Sequence, residues 1–142
     1  HKMTTGVEII RQCPNLSAFI AGSGTGGTLM GVNEMLKIAR KDTKIIQVQP
    51  EESNALHGIQ GINDGDDFLL DKSIIDDVIY VKTKDAINRA KRLAKEKGLL
   101  VGISAGANVL AAERWVKENN PEHPVVTILC DRGERYFSCY ED

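Results

Sequence analysis

Apolar residues change their spacing several times along the chain, and each change marks an element. Ser17-Ala18-Phe19-Ile20-Ala21 is a short continuous apolar run that stops at a glycine cluster, as a strand buried on both faces does. Beyond the cluster, Met30, Val32, Met35, Leu36 and Ala39 recur at helical spacing, and Lys37, Arg40 and Lys41 stand where cations offset a helix dipole. The spacing predicts a helix of about four turns. Ile45, Ile46 and Val48 then form a β-rich run that Pro50 ends. Strand, helix and strand together spell a βαβ crossover, which puts the glycine cluster at the carboxyl end of the first strand.

Upstream, Gly6 to Gln12 reads as a helical segment with no core element before it, as in a chain that starts inside a longer one. From 51 to 77 the pattern loosens around Gly58, Gly61 and Gly65 and the acidic turn Asn63-Asp64-Gly65-Asp66-Asp67, a loop region of the kind that often carries function. Val78 to Val81 predicts a strand. Thr83 then offers an N-cap for a helix with Ala86, Ile87, Ala90, Leu93 and Ala94 on one face and Gly98 as its C-cap. The run Leu99 to Ile103 leads into a second helix from Ala105, capped by Ser104, with Val109, Ala112, Trp115 and Val116 inward. Val125 to Leu129 is the last clear strand. The alternation predicts an α/β fold, a mainly parallel sheet with helices on both faces. No internal repeat, low-complexity tract or linker interrupts residues 1–142.

The cluster itself, Gly22-Ser23-Gly24-Thr25-Gly26-Gly27-Thr28, has the makings of a phosphate cradle. Closely spaced glycines let the backbone approach an anion, and the free N–H groups and dipole of the following helix favour negative charge. Thr25 and Thr28 add hydroxyl donors. Gly22, Gly24 and Gly27 also fit the dinucleotide pattern G-x-G-x-x-G, but the strand at 44–50 ends on Gln49, with Glu51 beyond a proline, where a ribose-binding acid would be wanted. A Walker A loop is excluded because Thr28 follows the last glycine where lysine is required. A tight turn that needs glycine for geometry alone is the plain alternative.

Composition narrows the partners. At 142 residues, 42% hydrophobic and 27% charged, the chain has the size and core content of one globular domain. A formal charge of −2 with scattered lysines leaves no footprint for nucleic acid or an anionic membrane and favours small-molecule chemistry. Cys13, Cys130 and Cys139 form no CxxC pair and leave an odd thiol, which suits a reducing cytoplasm better than a disulfide framework. His1, His57 and His123 lack ligand spacing, so no metal site is expected, and no run approaches the length of a membrane span.

Five segments in order then point to one family: His1-x-x-Thr4-Thr5-Gly6-x-Glu8-Ile9, Gly24-Thr25-Gly26-Gly27-Thr28, Gln60-Gly61-Ile62, Gly98-Leu99-Leu100-Val101-Gly102-Ile103-Ser104-Ala105-Gly106 and Gly133-Glu134-Arg135-Tyr136. They resemble the C-terminal half of the cysteine synthase (O-acetylserine sulfhydrylase) and cystathionine β-synthase family of fold type II pyridoxal phosphate enzymes. The resemblance spans nearly the whole chain and implies most of that fold's larger domain. It implies that Gly24, Thr25, Gly26, Gly27 and Thr28 hold the cofactor phosphate, that Ser104 hydrogen-bonds the pyridine nitrogen, and that Gly61 lines the substrate pocket. The family's Schiff-base lysine and its Thr-Ser-Gly-Asn type substrate loop lie upstream of anything resembling His1, so the role falls to no lysine of this chain. Its partner is then the N-terminal half of the same enzyme.

The activity so implied is β-replacement on an activated serine or cysteine: loss of the β-substituent gives aminoacrylate, to which sulfide or a thiol adds. A cytoplasmic homodimer is implied as well. One departure bears on the chemistry. Where cysteine synthases usually continue Gln-Gly-Ile with a Gly-Ala-Gly-Phe type sequence, this chain has Asn63-Asp64-Gly65-Asp66-Asp67-Phe68. Asp64 could act on the attacking water or thiol, or the segment could be a solvated acidic turn. The acid loop is the sequence hint for the alternative of a cysteine β-lyase that releases hydrogen sulfide. Cys130-Asp131-Arg132 replaces the small residues many relatives carry before Gly-Glu-Arg-Tyr, and Cys130 is either close to the cofactor ring or a buried structural thiol. From another class, the 142 residues alone could be a noncatalytic phosphate-binding module.

Overall fold

The computed structural model describes residues 9, 11–22, 27–38, 43–51, 72–98, 102–131 and 134–140. Five strands, β1 (Ala18–Gly22), β2 (Lys44–Pro50), β3 (Asp77–Val81), β4 (Val125–Asp131) and β5 (Glu134–Tyr140), form one sheet in the order β3-β2-β1-β4-β5. The first four run parallel, and β5 pairs antiparallel with β4. Among the described residues they are accompanied by the helices α1 (Gly27–Ile38), α2 (Thr83–Lys97) and α3 (Ile103–Asn119), by helical residues at Ile9, Arg11 and Gln12, and by a 3-10 turn at Lys72–Ile74.

The period of two along the strands sends alternate residues to opposite faces. Phe19 and Ala21 of β1, Ile45 of β2, and Val126 and Ile128 of β4 pack with Val32 and Leu36 of α1 and with Ile9, Cys13 and Leu16. Ala18, Ile20, Ile46, Val48 and Val125 face the other way, against Ala86 of α2 and Ala107, Ala111, Ala112 and Trp115 of α3. The sheet is therefore covered on both sides, which is why β1 reads as an unbroken apolar run. Removing a side chain such as Phe19, 0% exposed, from water contributes about 1.5–3 kcal/mol.

Helices α2 and α3 pack closely on each other because Gly106 lets them. A Cβ at Gly106 would lie 2.2 Å from the Ala86 carbonyl oxygen and 2.9 Å from the Ala90 nitrogen. Across the same helix pair, Arg89 Nε donates to Glu113 Oε1 at 2.6 Å and its Nη2 to Oε2 at 3.2 Å, a two-point contact. Gly98 ends α2 in the left-handed region at φ 68°, and its N–H reaches the carbonyls of Ala94 and Leu93.

Four expectations need correction. Thr83 is the first residue of α2, and Lys82, in extended conformation with no side-chain capping bond, holds the cap position. Ser104 likewise lies inside α3, which starts at Ile103 behind Gly102 with φ −77° and ψ 174°. Strand β5 was not legible as a strand, and it pairs with β4 from Asp131↔Glu134 to Val125↔Tyr140. Gly133, a turn-favouring residue just ahead of it in the sequence, is the signal that could have marked it. Finally, Cys13 is disulfide-bonded and not a thiol; pairing between distant cysteines cannot be deduced from spacing alone.

Candidate active site

β1 stands in the middle of the sheet. The chain leaves it for β2 and β3 on one side and returns to β4 on the other. In open parallel sheets such a reversal leaves a crevice outside the carboxyl ends of the strands, where ligands bind. Gly22, the last residue of β1, lies at that edge, half-buried. Gly24, Thr25 and Gly26 lie outside the described residues. Gly27 and Thr28 begin α1, a helix of 12 residues whose first turn carries no acidic residue. Its amino end therefore carries N–H groups without intrahelical partners and the positive end of the dipole, with no carboxylate of its own first turn to offset them.

α3 brings a second amino end to the same edge. Asn108, 5% exposed, accepts the Gly22 N–H at Oδ1 (2.9 Å) and donates from Nδ2 to the Ile128 carbonyl (3.0 Å). Residues four apart share a helix face, so Ser104 lies on the Asn108 face, roughly 6 Å nearer the helix start. Ser104 is half-buried and its neighbour Ile103 is 37% exposed. The first turn of α3 also lacks an acidic residue. Asn108, one turn on from Ser104, thus ties α3 to the ends of β1 and β4 through one carboxamide. Asn108 was not singled out in the sequence, although a lone amide in the apolar run Ala105 to Leu110 is a signal that could have found it.

The donor set fits an anionic, phosphorylated cofactor: two helices whose first turns carry no acid, with a hydroxyl residue in each, Thr28 and Ser104. Every lysine whose surroundings are described, from Lys37 in α1 to Lys117 in α3, is exposed. Gly61 and Asp64, with Asp66 and Asp67, lie outside the described residues. Cys130 is on β4, one strand from β1, at the Cys130↔Arg135 pair.

Comparison with known proteins bears on the identity of this site. The family model of the pyridoxal-phosphate dependent enzymes matches residues 2–131. Cysteine synthase B of Campylobacter jejuni subsp. jejuni is 46% identical over 97% of this chain and 48% of its own length. A cysteine synthase of Staphylococcus aureus (strain Mu50) is 40% identical over the same shares. Among solved structures, a hydrogen sulfide-producing enzyme from Fusobacterium nucleatum superposes with a TM-score of 0.83 at 33% identity, over 94% of this chain and 49% of that one. The chain spans about half the length of the curated relatives it matches. With a mainly parallel sheet and helices on both faces, the chain belongs to the pyridoxal-phosphate dependent enzyme family, with cysteine synthases among its relatives.

Proposed function

We propose that the complete enzyme carries out pyridoxal-phosphate-dependent β-replacement on an activated serine or cysteine, with sulfide or a thiol as the incoming group, as a cysteine synthase does. The observation that carries this reading is the Asn108 link, which sets the residue before the glycine loop and the Ser104 turn at one sheet edge. When bound, the cofactor supplies an electron sink for bond breaking at the substrate.

This chain's own residues then have separate tasks. Gly24, Thr25, Gly26, Gly27 and Thr28 hold the phosphate through backbone N–H groups and hydroxyls at the start of α1. Ser104 orients the pyridine ring through its nitrogen. A neutral hydroxyl balances ring charge less than a carboxylate would, and that favours loss of a β-substituent over transamination. Gly61 leaves room for the substrate beside the ring. Asp64 orients the attacking thiol or sulfide, or takes its proton. The covalent lysine and the loop that holds the substrate carboxylate come from the N-terminal half. The whole protein works in the cytoplasm as a homodimer, and sedimentation of the complete enzyme tests the dimer.

A second reading, a cysteine β-lyase that releases hydrogen sulfide, is favoured by the Fusobacterium nucleatum neighbour and by the acidic segment 63–67. Product partition in the complete enzyme separates the two. Cysteine formed from O-acetylserine and sulfide faster than sulfide is released from cysteine supports replacement; the reverse order supports the lyase. Asp64→Ala should lower nucleophile addition or sulfide release several-fold while cofactor binding is kept, with Asp66→Ala and Asp67→Ala as controls for loop register. If all three variants keep the wild-type partition, the segment is a solvated turn.

A further inference from the structure

The ladder between β1 and β4 stops early. It pairs Ala18↔Val125, Phe19↔Val126 and Ile20↔Thr127 and goes no further among the described residues, whereas β1 stays paired with β2 as far as Gly22↔Val48. Continuing the β1–β4 register would set Ala21 opposite Ile128. The parallel pattern would then have the Gly22 N–H donate to the Ile128 carbonyl. Those are the two backbone groups that Asn108 takes: Oδ1 accepts the Gly22 N–H at 2.9 Å and Nδ2 donates to the Ile128 oxygen at 3.0 Å.

We propose that Asn108 is a positioning residue whose carboxamide replaces one peptide-to-peptide hydrogen bond between β1 and β4, parting the strands at the carboxyl edge and fixing the backbone from which the glycine loop springs. A carboxamide presents one acceptor and two donor hydrogens on a planar end, as a peptide group does. It can therefore satisfy both strands while holding them one side chain further apart. The parted strands open the switch-point crevice without leaving Gly22 N–H or Ile128 C=O unpaired in a buried place, where either would be costly. The side chain comes from α3, one turn from Ser104, so the same helix sets the phosphate loop and the Ser104 hydroxyl relative to each other. The exchange needs a neutral donor and acceptor at the length of an asparagine; glutamine carries the same group one methylene further out. A carboxylate at position 108 would face the Ile128 oxygen with a lone pair, and a leucine would bond neither group.

The cofactor part of this inference rests on the reading proposed above, and the test separates the two. In the complete enzyme, Asn108→Leu keeps the volume and removes both bonds, Asn108→Asp keeps the acceptor, and Val125→Ala at the amino end of β4 serves as a variant of lowered stability remote from the loop. Hydrogen exchange of the cofactor-free protein should show faster exchange in peptides covering residues 21–26, beyond the Ala18↔Val125 pair, for Asn108→Leu and not for Val125→Ala. Equilibrium titration should show pyridoxal phosphate bound at least ~10-fold more weakly by Asn108→Leu, the loss expected from about 1.4 kcal/mol. Val125→Ala should stay within about twofold of wild type, since buried sites this far apart act independently. Asn108→Asp should recover affinity relative to wild type as pH falls, because a protonated carboxyl again offers one donor and one acceptor. Equal exchange and equal affinity in Asn108→Leu and Val125→Ala would overturn the proposal. Failure of the wild-type enzyme to bind the cofactor would instead contradict the proposed function, with the exchange comparison still deciding the role of Asn108.

Discussion

Single atoms decide the close contacts of this fold, and Gly106 is the sharpest case. Its missing Cβ leaves room for the Ala86 carbonyl, and a methyl group at 2.2 Å from that oxygen cannot be accommodated without moving α2 from α3. Gly106→Ala should therefore destabilise the complete enzyme by about 1–3 kcal/mol, although alanine is the better helix former. Chemical denaturation checks this; a stability equal to or above wild type would show that the helices separate at little cost. At the glycine loop the same logic concerns a ligand. Thr28→Ala should weaken cofactor binding by a few-fold, the loss of one donor. Titration measures it, and unchanged affinity would remove Thr28 from the phosphate site. The family motif made Gly106 and Ser104 visible in the sequence, but their reasons differ. Gly106 serves helix packing, and Ser104 is no cap, because Gly102 takes that place.

Among elements, the α2–α3 pair depends on more than apolar contact. Arg89 is 9% exposed at its side chain and Glu113 40%, so one partner of the pair is buried and the other borders solvent. Glu113→Ala would leave the guanidinium without its two-point acceptor and should cost about 1.5–3 kcal/mol, as for a hydrogen bond to a charged group. Glu113→Gln should lose less, since one acceptor oxygen remains. Thermal or urea unfolding distinguishes these outcomes, and equal stability of Glu113→Ala and wild type would show the pair to be solvent-compensated. Periodicity was legible where an element has one clear partner. Val32 and Leu36 mark the inner face of α1, while Ala86 and Leu93 mark that of α2, and all are buried. Arg89 escaped notice because a charged residue inside an apolar stripe reads as solvent-facing until its partner on another helix is known. β5 escaped because Glu134-Arg135-Tyr136 reads as a motif, and an edge strand paired on one side carries a weak apolar signal.

At the scale of the whole molecule, β1, α1, β2, β3, α2, α3 and β4 follow from the spacing of apolar residues, and the strand order places their carboxyl ends together. What spacing could not supply is the side-chain bridge at the switch point. Asn108 joins Gly22, 86 positions away, and Ile128, 20 away; the lone amide in an apolar run flags the residue, but nothing local announces its partners. The Cys13 disulfide was hidden for the same reason. The proposed division of labour also predicts that the 142 residues alone do not turn over amino acids and that activity returns with the N-terminal half. Measurable β-replacement by the purified 142-residue chain would refute that.

The central claim is that the glycine loop after β1 holds the cofactor phosphate in the complete enzyme. Equilibrium titration of pyridoxal phosphate into cofactor-free wild type and Gly26→Leu tests it most directly. A side chain in the loop should block approach of the backbone to the phosphate and weaken binding by well over ~10-fold, while the unfolding midpoint of the cofactor-free protein changes little. Equal dissociation constants for the two proteins would contradict the claim and move the phosphate site elsewhere.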